Sequence, residues 1–317
     1  MDTISFTEFV KNQCLSIGFS KVGIARVQYY PEDRTYLDNW IDKDYHATMN
    51  WMTSNKDKRT NISNYYSQSK SVISVAINYF NGNSKDGHSP PYISNYASGK
   101  DYHIIIKSKL KELLEKINDV DSSVNGYYCV DTSPIMEKAW AQRAGIGWIG
   151  KHTNLITKEF GSWIFLGELI INRELAYDSP FTEDLCGTCN LCIDECPTGA
   201  IVDAHQLDSN KCISYVTIEK RGEFEKENLI ALDNWIFGCD ICQDVCPWTI
   251  KFSKNTTEED FHDTHSLKNK DYDYWENLSQ EEYKRIFKNS AVKRTKYSGL
   301  IRNILAAKEQ VNNNDRQ

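Results

Sequence analysis

Apolar and polar positions alternate along this chain in two rhythms. In the first twenty residues Phe9, Val10, Leu15 and Ile17 recur at helical spacing, and Ser5 with Glu8 reads as a capping box at the start of that helix. KVGIARV (21–27), SVISVAINYF (71–80), GYYCV (126–130) and WIFLGELII (163–171) are short β-branched or aromatic runs with polar flanks, the pattern of strands. From Asp101 to Asn118 the apolar residues Ile104, Ile105, Leu110, Leu113, Leu114 and Ile117 return to the helical period. NGNSKDGHSPPYISN (81–95) is loop by its turn residues, either a solvated connector or the frame of a site. The stretch between Cys212 and Cys239 reads as a helical insertion. The succession predicts an α+β protein, with no internal repeat beyond two cysteine motifs.

The 317 residues, 40% hydrophobic and 26% charged, suffice for one large core or two domains. Seven prolines and sixteen glycines exclude collagen-like and low-complexity chains. No apolar run approaches the ~20 residues a bilayer span needs, and the best, Trp163 to Ile171, carries Glu168. The start, MDTISFTEFV, lacks a basic region and an apolar signal core. These features predict a soluble cytoplasmic protein that does not engage a membrane. Ten cysteines then require a reason, because disulfides rarely persist in a reducing cytosol.

Eight of the ten lie between Cys186 and Cys246. Cys186, Cys189, Cys192, Cys196 and Pro197 spell C-x2-C-x2-C-x3-C-P, the bacterial ferredoxin run, in which the cysteine before proline serves the other cluster. Cys239, Cys242, Cys246 and Pro247 repeat the ending, with Cys212 upstream. Crossing assigns Cys186, Cys189, Cys192 and Cys246 to one [4Fe–4S] cluster, and Cys196, Cys212, Cys239 and Cys242 to the other. A zinc ribbon is the alternative, but it needs only two C-x2-C pairs and leaves Cys192, Cys196 and the repeated C-x3-C-P without a use.

Other motifs are less specific. Gly145-Ile-Gly147-Trp-Ile-Gly150-Lys151 matches nucleotide-binding patterns, yet the helical EKAWAQRA precedes it and His152 stands where a phosphate loop needs Ser or Thr. A glycine-rich turn packed against another cofactor suits it better. Asp131 follows GYYCV and precedes Thr132, Ser133 and Pro134, which is a strand end that displays a carboxylate or equally a helix cap. His103 beside Tyr102 reads as structural, and Cys14 and Cys129 as buried thiols. Residues 258–282 hold nine acids against two lysines, whereas Lys284, Arg285, Lys288, Lys293, Arg294, Lys296 and Arg302 follow with no acid among them. That basic helical stretch is either a polyanion contact or a solvated face neutralised by its acidic neighbour.

Taken in order, YASGKDYH (96–103), VDTSPIMEKAWAQRAGIGWIGKHTN (130–154), the first cysteine motif, CISYVTIEKRG (212–222), GCDICQDVCPW (238–248) and FKNSAVKRTKYSGLIRN (287–303) closely resemble the epoxyqueuosine reductases over nearly the whole chain. The resemblance implies a cobalamin-dependent iron–sulfur enzyme that finishes queuosine synthesis in tRNA by reducing epoxyqueuosine at the wobble position. It implies a nitroreductase-like cobalamin domain over 1–175, of the kind found in reductive dehalogenases. A ferredoxin-like domain with two [4Fe–4S] clusters over 176–255 and a helical segment with the basic tRNA-contacting stretch over 256–317 follow. Asp131 matches the family's proton donor in V-D-T-x-P, with burial beside an uncharged corrin face expected to keep its carboxyl protonated. Ser214, Asp240 and Gln243 are candidates for the cluster–cobalamin interface, and Arg59, Lys151 and Asn154 for the corrin periphery. The implied partners are a tRNA with a GUN anticodon and a reduced flavodoxin or ferredoxin, with the protein a monomer. Another corrinoid class carries D-x-H-x-x-G, and both Asp86-Gly-His88 and Asp263-Thr-His265 lack its glycine, which fits a cobalamin held without a histidine on cobalt. Some relatives carry a longer C-terminal extension of helical repeats, whose tRNA contacts are not transferred to this chain. Two other readings compete: a corrinoid reductive dehalogenase of small organohalides, and a non-catalytic electron carrier that needs only the clusters.

Overall fold

In the computed structural model, which describes residues 1–82, 85, 88–224 and 229–314, four of the apolar runs pair into one antiparallel sheet. Its elements are introduced along the chain: α1 (Thr3–Ile17), β1 (Lys21–Arg26), α2 (Pro31–Asp42), β2 (Ser71–Asn78), α3 (Tyr102–Val120), β3 (Gly126–Cys129), α4 (Glu137–Arg143) and β4 (Ile164–Ile171). The strand order is β1-β2-β4-β3. Strand alternation sends Ile24, Ile73, Val75, Ile77, Leu169 and Ile171 to one face, packed on α1 and α3. Ala25, Val72, Ala76, Cys129 and Ile170 face the other way, onto Trp140, Ala141 and Ala144 at α4. With both faces covered, β2 is buried at every position.

The first helix begins earlier than its polar pattern predicts. Asp2, not Ser5, is the cap: its Oδ1 accepts the Ser5 N–H at 2.9 Å. The extra turn brings Phe6, Val10 and Cys14, spaced by four, onto the buried face, while Leu15 stays 52% exposed. Cys14 and Cys129 are fully buried thiols, each pushed up to about 12 by burial.

Register aligns Gly23, Ser74, Glu168 and Cys129 across the four strands, hence on one face. A Cβ on Gly23 would lie 2.0 Å from the Ala144 carbonyl oxygen, so only glycine lets the end of α4 rest on β1. That approach sets Glu137, at the start of α4, over Glu168. The Arg143–Asp33 pair, 2.6 Å apart and nearly buried, ties α4 to α2.

A second core holds the middle of the chain to its end. Among the described residues of the expected helical insertion, the helix is Ile213–Ile218 (α5). Positive φ at Asp233 and Asn234 then turns the backbone into Trp235–Phe237 (β5), which pairs in parallel with Tyr92–Ile93 inside the expected 81–95 loop. Parts of the expected loop (83, 84, 86 and 87) and of the expected insertion (225–228) lie outside the described residues. Trp235, Phe237, Trp275, Phe287, Leu300 and Ile304 fill this core, so packing crosses the boundary expected at 255. The basic stretch is not one helix: it runs from α6 (Gln280–Ile286) through a 3-10 turn at Ala291–Thr295 into α7 (Lys296–Asn314), with positive φ at Lys296. Among the described residues no helix is long and apolar enough to cross a membrane.

Asn303, fully buried on α7, donates to the carbonyls of Thr217 (2.7 Å) and Ile236 (2.9 Å), joining α7 to α5 and β5. Asn303→Leu keeps the size but strands both carbonyls, and should cost about 2–4 kcal/mol, read as a clearly lower Tm. An unchanged Tm would mean that these bonds do not hold the second core together.

Candidate active site

Each cysteine motif folds as a turn followed by a single helical turn, Leu191–Asp194 holding Cys192 and Ile241–Asp244 holding Cys242, and the two turns pack together. Cys212 and Cys246 are the N-cap residues of α5 and of the Pro247–Phe252 helix. The charge couplings among the thiols run mostly within the two sets of four expected from the spacing, with Cys192 and Cys242 in reach of each other across them. Burial pushes Cys192 up to about 11, and its charge neighbours Cys186, Cys246 and Cys189 add to that. Burial also raises Cys242 and Cys239; Cys242 feels Cys212, Cys192 and Cys196, and Cys239 feels Cys242 and Cys212. Cys196 is lowered despite its burial, because backbone N–H groups, Ala200 at 3.3 Å among them, donate to its sulfur. Among the described residues no three His, Cys, Asp or Glu side chains are placed as ligands of one ion. A four-iron cluster asks for a different arrangement, since each thiolate binds its own iron.

A cavity of about 590 Å³ adjoins the second quartet: Cys196, Cys212, Cys239 and Cys242 all line it, together with Asp131. None of the first quartet does. Its aromatic wall is a stack in which Phe165 lies 4.2 Å from both Tyr79 and Tyr102. The glycine motif is a tight hairpin of Trp148–Ile149 with Leu155–Ile156; a Cβ on Gly147 would sit 2.0 Å from the Ile156 carbonyl oxygen. Its packing partner is therefore this chain itself, and its tip sends His152, Thr153 and Asn154 to the cavity. Burial and Lys138 push His152 down to about 4, so its ring is neutral; Nδ1 accepts the Asn154 N–H, and buried Nε2 has no partner among the described residues.

The sequence-predicted cofactor residues separate into three groups. Asp131, Asn154, Ser214 and Gln243 line the cavity. Asp240 stands one bond behind, fully buried, accepting from Ser94 Oγ at 2.5 Å and Asn95 N–H at 2.7 Å. Lys151 and Arg59 do not line the cavity: Lys151 Nζ donates to Gly187 O and Asn190 Oδ1 in the first cysteine loop. Arg59 donates from Nη1 to the Ile135 carbonyl, lies within electrostatic reach of Asp131 and Glu137, and has a buried Nε with no partner among the described residues.

Asp131 sits just beyond β3 with φ 53°, a region sparsely used outside glycine. Three contacts surround it. Its N–H donates to Glu137 Oε1 at 2.6 Å, its Oδ2 lies 3.2 Å from His103 Nε2, and His103 Nδ1 lies 2.7 Å from Asp101 Oδ1. Burial opposes charge on His103, but the two flanking carboxylates win and raise it to about 9. Asp131 meets some desolvation from the cavity wall although its side chain is still 60% exposed; the hydrogen bond and charge of His103, with help from Arg294 and Lys138, pull its carboxyl below the usual range. Among the protein groups the proton is favoured on His103, because an imidazolium between two carboxylates is the better-stabilised charge; the protonated Asp131 expected from the sequence was tied to a corrin face lying against it. Beneath, burial raises both Glu137 and Glu168; the Asp131 charge adds to the rise of Glu137, whereas the hydrogen bond from Glu168 lowers it, and Glu137 raises Glu168 further, so Glu168 holds the proton of this pair at neutral pH. Ser74 Oγ donates to Glu168 at 3.2 Å.

Sequence reasoning read His103 as structural and gave no role at the site to Glu137, Glu168 or His152. Glu168, a lone acid within an apolar strand, was the visible signal; the 28-residue reach from His103 to Asp131 leaves no local pattern.

Of the basic stretch, Lys284, Lys288, Lys293 and Lys296 are exposed. Arg285 pairs with Glu282, and Arg294 makes two 2.8 Å bonds to Glu219 on the cavity lining. Arg302 is committed to the carbonyls of Lys220, Gly222 and Val216.

Two family models match: "Epoxyqueuosine reductase QueG, DUF1730" over residues 59–132, and "4Fe-4S double cluster binding domain" over 185–249. Epoxyqueuosine reductase of Cellulophaga algicola is 44% identical over 301 residues, covering 94% of this chain and 96% of that one. A crystal structure of epoxyqueuosine reductase with an epoxyqueuosine-modified tRNA-Tyr stem loop superposes with TM-score 0.81 at 26% identity, over 96% of this chain and 80% of that one. A Bacillus subtilis epoxyqueuosine reductase, described with its catalytic aspartate loop swung out of the active site, gives 0.79 at 25%, over 96% and 81%. A catabolic reductive dehalogenase, at TM-score 0.50 and 16% identity over 81% of this chain and 33% of that one, shares the fold alone. With near-complete coverage by relatives of one kind and both domain models in their places, the chain belongs to the epoxyqueuosine reductase family.

Proposed function

We propose that this chain reduces epoxyqueuosine to queuosine in tRNA, with electrons arriving through the second cysteine quartet and protons through Asp131. One observation carries the reading: that quartet and Asp131 line the same cavity. A pure electron carrier has no use for such a space, and the dehalogenase likeness extends to the fold only.

Cobalamin fits the cavity by the character of its walls. Tyr79, Tyr102, Ile164, Phe165 and Leu166 offer apolar surface to a flat macrocycle, and His152 Nε2–H, otherwise unanswered, suits an amide oxygen at its edge. Ser214, Asn154 and Gln243 would border it, with Asp240 holding the Ser94–Asn95 turn behind. Bound there, cobalamin supplies a strongly reducing metal centre. Cys186, Cys189, Cys192 and Cys246 would hold an outer cluster that receives electrons from a reduced flavodoxin or ferredoxin. Cys196, Cys212, Cys239 and Cys242 would hold the inner one; Cys192 and Cys242, within electrostatic reach of each other, are where the two come together.

The epoxide takes two electrons and two protons, both carbon–oxygen bonds break, a carbon–carbon double bond forms and the oxygen leaves as water. The leaving oxygen needs a proton, which general acid catalysis supplies for typically 10²–10⁴-fold in rate. His103 keeps a proton at Nε2, 3.2 Å from Asp131 Oδ2, and Asp101 keeps the imidazole charged from behind. Asp131 passes that proton on to the oxygen. Glu137 fixes the Asp131 backbone so that the carboxyl stays in the cavity. The tRNA, with a GUN anticodon, is steered by Lys284, Lys288, Lys293 and Lys296, with Arg285 and Arg294 adding charge; Arg302 belongs to the scaffold. Such contacts position the substrate without reading its sequence.

Anaerobic turnover of epoxyqueuosine-containing tRNA by the reconstituted, cobalamin-loaded protein should remove one oxygen atom from the nucleoside, seen by mass spectrometry. No conversion with clusters and cobalamin verified would contradict the reading. Asp131→Asn should lose about 10²–10⁴-fold in turnover and still bind tRNA; full activity would remove the proton-donor role. Neutralising Lys284, Lys288, Lys293 and Lys296 together should flatten the salt dependence of tRNA binding, by about 0.7–0.9 in slope for every phosphate they neutralise in the wild type. An unchanged slope would place the phosphates on another surface.

A further inference from the structure

We propose that Trp51 and Arg294 form a stacking site for an unpaired nucleobase adjoining the modified nucleoside. The inference rests on the tRNA reading above and goes beyond it. Trp51 opens the short helix Trp51–Ser54 and is 41% exposed. A lone exposed tryptophan is ordinary; this one is not alone. The Arg294 guanidinium lies 5.3 Å over its ring. Arg294 is itself locked, Nε and Nη2 each donating at 2.8 Å to the two oxygens of Glu219, and its carbonyl accepts from Arg221 Nη2 at 2.9 Å. Arg221 also reaches Glu219, at 3.8 Å, so two arginines surround one carboxylate and the group keeps a positive charge.

The location matters as much as the chemistry. Glu219 and Met49, two residues before Trp51, line the cavity that contains Asp131, and the Arg294 charge contributes to holding the Asp131 carboxyl down. The loop carrying Trp51 is pinned there: Thr48 N–H and Oγ1 bond the hydroxyl of Tyr215, another lining residue, at 3.1 and 2.7 Å. A nucleoside whose base enters the cavity draws its neighbours across this rim, where they lose their own stacking partners. An indole face beside a fixed planar cation is the surface on which unpaired bases stack, with the guanidinium serving phosphate or base edge. Arg294 Nη1 is uncommitted among the described residues.

The test measures binding of an epoxyqueuosine-bearing anticodon stem loop to wild type, Trp51→Ala and Trp51→Phe, with Tm recorded for each. Stacking predicts affinity weakened about tenfold or more in Trp51→Ala, retained within about threefold in Trp51→Phe, and a Tm that does not follow the affinity. Wild-type affinity in Trp51→Ala, or equal weakening in both variants, would overturn the stacking site while leaving the tRNA reading intact. Failure of the wild type to bind the stem loop would overturn the tRNA reading on which the site rests.

Discussion

Removing an oxygen from carbon in this way demands that electrons and protons converge on one bond, and proton transfer tolerates little more than a hydrogen-bond length. The fold offers a single cavity that both proposed supplies would reach. Cys196, Cys212, Cys239 and Cys242 border it, and so does Asp131 with His103 at its back. Everything else in the molecule can be understood as holding those two groups in one place. The second core does so for the cysteines, by packing α5 and β5, which flank Cys212 and Cys239, against α7.

The sheet does so for Asp131. Glycine at position 23 lets α4 come down on the strands, and the register places Glu168 in the row beneath it. Burial disfavours ionisation of both carboxyls and the Glu137 charge raises Glu168 further, so Glu168 keeps a proton and Glu137 offers an oxygen to the Asp131 N–H. A residue at φ 53° has an intrinsic tendency to relax. The bond from Glu137 and the imidazolium of His103 counter it from two sides. In the Bacillus subtilis relative the catalytic aspartate loop is swung out, which is the motion such contacts would restrain.

Much of this was legible in the sequence. The cysteine spacing pointed to a double-cluster domain, because short turns and a proline stop recur in the chain itself, and one of the two expected sets lines the cavity together. The four main strands lay where β-branched runs end in polar residues. What escaped were relations between distant segments. His103 read as structural because its partner is 28 residues away. The glycine motif mimicked a nucleotide loop because tight hairpins and phosphate cradles need the same small residue. Lys151 and Arg59 suited a cofactor's polar edge by type, yet in the folded chain Lys151 bridges to the first cysteine loop and Arg59 Nη1 meets the Ile135 carbonyl, contacts between distant segments that no local pattern shows. Asp2 displaced Ser5 as the first cap because one more turn let Phe6 join the buried face.

The central claim is that the proton for the leaving oxygen resides on His103 and passes through Asp131. Its most direct test is the pH dependence of anaerobic single-turnover reduction of epoxyqueuosine-containing tRNA. His103, held charged by Asp101 and Asp131, has its pKa raised to about 9, so the rate should be sustained through neutral pH and fall as pH rises through that value. In His103→Gln, Asp131 loses the charge that depressed its carboxyl and must supply the proton itself, so the fall should move to the carboxylate range and the rate at neutral pH should drop. Superimposable profiles for wild type and His103→Gln would contradict the account.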